Sequence, residues 1–201
     1  NLALGKVEGI VREEMNRAGA LEVILPSLHP SEPWVQSGRW GEYGAEMMRL
    51  ADRQGRDFCL GPTAEEMITL TVGRSAPSYR DLPLNLYQIQ TKFRDETRPR
   101  FGLLRAREFR MKDAYSFHAD LEDLKREYRN MHDTYLRVTD RCRLPTRVVE
   151  ASTGLIGGSA SHEFMVVSDI GEDVLIYCLE CDYGANQELE AHRPGRAFGG
   201  E

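Results

Sequence analysis

The segment KFRDETRPRFGLLRAREFRMKDAYSFH, residues 92–118, constrains the fold of this chain more than any other. It joins the end of one alternating run, 84–93, to a second, 105–117, through a corner containing Pro99 and Gly102. Runs with a two-residue period are strands, and two long strands joined by a short turn pair antiparallel. Side chains an even number of residues apart then share a face. Arg94 and Glu96 fall together on the first run, and Arg105, Phe109 and Asp113 on the second. One sheet face is expected to offer two guanidinium groups, a carboxylate and an aromatic ring. Such a set suits a nucleotide: arginine forks match phosphate oxygens, a carboxylate accepts from an exocyclic amine, and a phenyl ring stacks on a base. The competing reading of the same residues is a solvated, charged hairpin.

Charge sharpens the contrast. Residues 92–118 hold eight Lys and Arg against four Asp and Glu, in a chain whose net charge is −6. Global attraction to polyanions is excluded, so any such contact must be local. With 201 residues and 41% hydrophobic content the chain can bury a sizeable core. No apolar run approaches the ~20 residues that cross a bilayer, and the N-terminus lacks the pattern of a signal peptide. The four cysteines, Cys59, Cys142, Cys178 and Cys181, are too few and too irregular for a disulfide framework. A cytoplasmic location is expected. Cys178-x-x-Cys181 is half of a zinc site, and Cys142, His162 and His192 do not complete it with supportive spacing, so no metal site is assigned.

Elsewhere the pattern alternates between helix and strand. Val7, Ile10, Val11, Met15 and Ala18 recur at helical spacing over residues 5–18, with Gly19 as C-cap, and LEVIL (21–25) reads as a short buried strand stopped by Pro26. LGPTAEEMITLTVG (60–73) opens a second helix, with Thr63 as candidate N-cap and Glu66 completing a capping box. A longer helix is expected over 119–141 after Asp120, and short strands in RVVEA, FMVVS and DVLIYC. The expected class is α+β, an antiparallel sheet flanked by helices. Residues 1–190 form the core in this reading, and the Gly-, Pro- and Arg-rich residues 191–201 a linker or the start of an insertion.

These strings carry a resemblance. FRDE (93–96), followed by Arg105-x-x-x-Phe109-x-x-x-Asp113, resembles motif 2 of class II aminoacyl-tRNA synthetases. Together with LGPTAEEMIT (60–69) before it and TGLIGGSASHEFMV (153–166) after it, it is similar to the bacterial-type prolyl family, from the first helix to about Glu190. The resemblance implies part of a class II catalytic core. Residues 5–26 would be motif 1, which builds a homodimer interface; ordinary amphipathic packing explains them equally. Arg94 would hold the ATP α-phosphate and the substrate carboxylate, Glu96 would read the adenine amine, Phe109 would stack on adenine, and Arg105 would reach the outer phosphates. Asp113, on the same face, is counted with the ATP-binding residues. Arg94 and Arg105, with Mg²⁺, would stabilise charge in adenylate formation.

The resemblance also implies an L-proline pocket. Thr63 and Glu65 would bind the ring nitrogen, whose two N–H groups a carboxylate and a hydroxyl or carbonyl can accept. His162, Phe164 and Ser159 would border the ring, although Ser159 and Ser161 also suit a turn. Arg98 and Arg100, in the loop 97–104, would meet the acceptor end of tRNA(Pro) through salt-dependent phosphate contacts. A pocket for a small apolar ring discriminates weakly, so an editing domain is expected nearby. No counterpart of motif 3 or of an anticodon-binding domain is found, and the isolated chain is expected to be inactive or weak. A non-catalytic paralogue that keeps the nucleotide face as a regulatory module is the alternative. Retention of Thr63, Glu65, Arg94, Glu96 and Phe109 together favours the enzyme. A zinc-assisted nucleic-acid module would rest on Cys178, Cys181 and the basic loop.

Overall fold

The computed structural model describes residues 2–76, 78–100, 102–103, 105–151, 158, 160–168, 171, 173–178 and 183–186. The chain divides into two compact units, residues 1–131 and 132–201.

In the first unit, α1 spans Leu2–Arg17. It ends as the sequence suggests. Gly19 has φ 87° and donates to Asn16 O at 3.1 Å, while Ala20 N reaches back to Met15 O at 3.1 Å, a pair of bonds that caps the last turn through a left-handed glycine. The strand that follows is shorter and more exposed than its composition indicates. β1 covers only Leu21–Glu22, and Ile24 is exposed. Beyond Val23, side chains replace the ladder: Gln88 Oε1 accepts from Leu25 N at 3.4 Å, and Gln90 Nε2 donates to Leu25 O.

The long hairpin is present. β5 (Leu84–Phe93) and β6 (Glu108–Phe117) pair antiparallel from Leu84↔Phe117 to Phe93↔Glu108. β6 starts three residues later than the alternation implies. Past β5, Asp95 N turns away to Glu46 O at 2.8 Å, so the ladder opens after Arg94 N meets Arg107 O. Arg100 and Arg105 face each other only across an isolated bridge. β1 joins the edge of β5 in parallel, so this three-stranded sheet is antiparallel along its long hairpin and parallel at its short edge. A parallel neighbour requires a long crossover. Residues 23–83 supply it, and within them lie β2 (Leu28–Pro30), α2 (Ser31–Gln36), α3 (Arg39–Glu42), β3 (Arg49–Ala51), β4 (Asp57–Leu60) and α4 (Glu65–Ser75). β2, β4 and β3 form a second, antiparallel sheet.

α4 covers one end of the hairpin. Leu25, Ala64, Ile68, Val72 and Leu86 are buried together, with Leu84, Tyr115 and Phe117 packed against them. These strand residues are all on one face, because Leu84 is opposite Phe117 and Leu86 opposite Tyr115. A smaller core of Trp34, Met47 and Cys59 fixes α2 against the second sheet. Gly61 is required here: a Cβ at this position would come within 2.6 Å of the His29 ring.

α5 (Leu121–Arg141) begins as expected, with Asp120 Oδ1 accepting from Asp123 N at 2.8 Å. Residues beyond Met131 belong to the second unit. There β7 (Thr146–Glu150), β8 (His162–Val166), β9 (Leu175–Tyr177) and β10 (Gly184–Asn186) make a sheet of order β8-β7-β10-β9. Among the described residues no helix is long and apolar enough to cross a membrane.

Candidate active site

Along the face that α4 covers, β5 changes character. Leu84 and Leu86 give way to Gln88, Gln90 and Lys92, with Arg94 just past the strand end. Across the ladder stand Asp113 opposite Gln88, Met111 opposite Gln90, and Phe109 opposite Lys92. One end of the face is therefore core, and the other, beyond the first turn of α4, is polar.

The polar end is built on Asp113, whose carboxylate is buried at 8% exposure. Its Oδ2 accepts from Gln88 Nε2 at 2.9 Å and from the Tyr115 hydroxyl at 2.8 Å, and lies 3.1 Å from the Lys92 ammonium. Lys92 is fully buried, and that burial pushes its pKa down while Asp113 opposes the shift. Tyr115 passes the order onward. Its hydroxyl accepts from Ala64 N at 3.0 Å and lies 3.3 Å from Thr63 Oγ1, and burial drives its pKa well upward, so it stays protonated. Asp113 thus sits beneath the surface of the site, holding the residues that shape it.

Thr63 does not cap α4. The capping position is Ala64, without a side-chain cap bond, and Glu66, instead of closing a capping box, binds Ser37 Oγ and Arg39 Nη1. Tyr115 accepts from the amide of Ala64, the residue after Thr63. Thr63 Oγ1 donates instead to Glu65 Oε2 at 2.5 Å, which brings together the two residues proposed for the ring nitrogen.

Next to them stands Arg94. Its Nη2 donates to Pro62 O at 3.4 Å, one residue before Thr63, and its guanidinium carbon lies 5.5 Å from the centre of the Phe109 ring. Among the described residues no carboxylate pairs with Arg94, and its Nε is buried without a partner. Glu96 and Arg105 form an ion pair at 2.9 Å. Arg98 N donates to Glu96 Oε1 at 2.9 Å; that amide first, then Arg105, holds the carboxyl below the usual range. Arg105 lies outside the ladder of β6, so it joins the group through Glu96 rather than by strand parity. Arg98 and Arg100 lie in the connection between the strands, with Leu103 exposed beside them.

In the second unit His162 and Phe164 share a face of β8, and both rings pack on α5. His162 meets His132 at 6.0 Å, and Phe164 meets His132 at 5.5 Å and Tyr135 at 5.4 Å between ring centres. Ser159, Cys181, His192 and the segment 191–201 lie outside the described residues.

Several residues of the site escape a motif-based reading: Gln88, Gln90, Lys92, Tyr115 and Arg39. For four of them the signal is present as parity, since they continue the face of Leu84, Leu86, Phe109 and Asp113. Arg39 comes from a distant loop, and nothing in its local sequence announces it. Arg39 also borders a cavity of about 590 Å³ between α2 and α4 that Glu65 and Glu66 help to line.

Comparison with known proteins gives the family. The tRNA synthetase class II core domain (G, H, P, S and T) matches residues 45–192. The chain is 59% identical over 195 residues to a proline–tRNA ligase of Dechloromonas aromatica (strain RCB), covering 96% of this chain and 34% of that protein. Against a proline–tRNA ligase of Thiobacillus denitrificans (strain ATCC 25259 / T1) the identity is 57% over 197 residues, covering 98% and 34%. The chain therefore spans about a third of the length of these relatives. Among solved structures, the fold matches a Giardia lamblia prolyl-tRNA synthetase in complex with prolyl-adenylate at a TM-score of 0.66 and 23% identity, over 72% of this chain and 30% of that one. Hairpin, covering helix and family match agree, and the chain belongs to the class II tRNA synthetase core-domain family.

Proposed function

We propose that this chain carries the adenylate-forming face of a proline–tRNA ligase. In this reading the carboxylate of L-proline attacks the α-phosphorus of ATP, releasing pyrophosphate and leaving prolyl-adenylate. A hydroxyl of the terminal adenosine of tRNA(Pro) then attacks the adenylate carbonyl and releases AMP. Neither step needs a side-chain nucleophile, so position and charge carry the acceleration. Arg94 meets the α-phosphate and the proline carboxylate, Phe109 stacks on adenine, and Glu65 with Thr63 takes the ring ammonium. Glu96 exchanges Arg105 for the adenine amine, which releases Arg105 toward the outer phosphates. Asp113 serves ATP from below, through Lys92 and Tyr115. The sequence resemblance adds His162, Phe164 and Ser159 to proline recognition and gives Arg98 and Arg100 to the tRNA acceptor end.

The observation that carries this reading is Arg94. It is a guanidinium with no carboxylate partner among the described residues, set over an aromatic ring and bonded to the carbonyl of Pro62, one residue before the Thr63–Glu65 pair. Among the described residues no three His, Cys, Asp or Glu side chains converge as a metal site. Mg²⁺ belongs to this reading with the triphosphate, whose charge it would offset together with Arg94 and Arg105. Two copies pairing through residues 5–26 belong to the same reading, supported by the exposed Val7, Leu21 and Ile24. Such an enzyme works in the cytoplasm, where translation takes place.

The test is calorimetric titration of the chain with a non-hydrolysable prolyl-adenylate analogue, with the alanyl analogue as control. Tight binding that prefers the prolyl compound is expected. A folded chain that binds neither, or binds both equally, contradicts the assignment.

A further inference from the structure

We infer that Arg39 is a positioning residue for amino-acid selection, which fixes the Glu65 carboxylate so that one oxygen faces the ring nitrogen. The inference rests on the reading of Thr63 and Glu65 as the proline-binding pair. Arg39 opens α3, and Gly38 before it has φ 82°, the left-handed turn that carries the chain from α2 back toward α4. Its guanidinium carbon lies 5.2 Å from the centre of the Trp34 ring and 5.5 Å from that of Tyr43. The two rings stand at 89° to each other, and a guanidinium held over both has little freedom.

A single nitrogen, Nη1, serves two adjacent carboxylates: Glu66 Oε1 at 2.9 Å and Glu65 Oε2 at 3.3 Å. The two acids have different parts. The Glu66 side chain is 3% exposed, and its Oε1 also accepts from Ser37 Oγ at 3.0 Å, so it anchors Arg39. Glu65 is a third exposed, and its Oε2 accepts from both Arg39 and Thr63. Among the described residues nothing donates to Glu65 Oε1. Two donors on one oxygen leave the other as an acceptor whose direction is set.

Direction matters for this substrate. A secondary ammonium in a five-membered ring has two N–H bonds whose orientation the ring dictates, whereas the primary ammonium of alanine has three and turns about its C–N bond. A carboxylate that wanders therefore harms proline more than alanine. Size alone separates such small side chains weakly, so a directional term is a route to selectivity that pocket volume cannot supply.

The experiment compares prolyl and alanyl adenylate analogues on the wild-type chain, on Arg39→Lys, and on the double variant with Arg39→Ala and Glu66→Gln. Lysine keeps a charge beside Glu66 but loses the planar group that lies over both rings. The double variant removes both members of the buried pair, so no uncompensated charge remains if the single substitution fails to fold. In folded variants, prolyl affinity is expected to fall about tenfold, the loss of one charge-assisted bond's worth of orientation, and alanyl affinity by clearly less. The prolyl-to-alanyl ratio shrinks accordingly. A ratio unchanged from wild type, whether both affinities hold or fall together, overturns the inference and leaves the proline-site reading standing. A wild-type chain that shows no preference overturns both.

Discussion

Arg94 and its surroundings decide what the site can do. A guanidinium beside a backbone carbonyl and a phenyl ring, with no carboxylate partner among the described residues, keeps its charge available to an anion. Arg94→Ala should lower affinity for the prolyl-adenylate analogue by at least about tenfold, by the loss of a charge-assisted contact. The unfolding midpoint should change little, because one long bond to Pro62 O and one ring contact are all that the fold loses. Titration and urea denaturation on the same sample check both parts, and near-normal affinity in a folded variant refutes the assigned role. Glu96 and Arg105 behave differently. They neutralise each other in the absence of ligand, so each is available to a nucleotide only after the 2.9 Å pair opens.

At the scale of elements, the hairpin positions the site and the crossover completes it. β5 and β6 were legible because a two-residue period needs no knowledge of partners, and the same parity places Phe109 and Asp113 on one face. Three features were not. The end of β6 depends on Asp95 N finding Glu46 O, a contact made 49 residues away along the chain. The absence of a capping box at α4 depends on Arg39 taking Glu66, a contact made 27 residues away along the chain. LEVIL looked buried from composition, yet Gln88 and Gln90 hold Leu25 from the side and leave Ile24 in solvent. Each is a long-range bond, and local propensity cannot register one. The crossover also carries a titratable element. His29 on β2 is fully buried and its Nε2 pairs with Pro26 O at 2.9 Å; burial lowers its pKa below 6.5, the Pro26 bond opposes this, Lys92 lowers it further, and Asp113 and Glu65 raise it. As pH falls below 6.5 the unfolded chain takes up a proton that the folded chain refuses, so stability declines until the folded pKa is reached. The urea midpoint should therefore drop between pH 7.5 and 5.5, and drop less in His29→Gln. Equal drops in the two proteins would show that His29 does not carry the effect.

For the whole molecule, the family was legible in three strings and the geometry was not. FRDE, LGPTAEEMIT and GGSASHEF mark a class II core, and the match over residues 45–192 agrees. What the strings could not show is that Thr63, Glu65, Asp113, Lys92 and Tyr115 form one connected network in the first unit, since its members come from a loop, a helix and two strands. That network is the physical content of the account: a buried Lys92–Asp113 pair orders Tyr115, Tyr115 orders the start of α4, and the start of α4 presents Glu65. A crystal structure of this chain with the non-hydrolysable prolyl-adenylate analogue tests it most directly. Adenine should stack on Phe109, with the phosphate mimic on Arg94, the ring nitrogen against Glu65 Oε1, and the Lys92–Asp113–Tyr115 connections unchanged. An analogue bound away from Arg94 and Phe109, or with its ring nitrogen turned from Glu65, would contradict it.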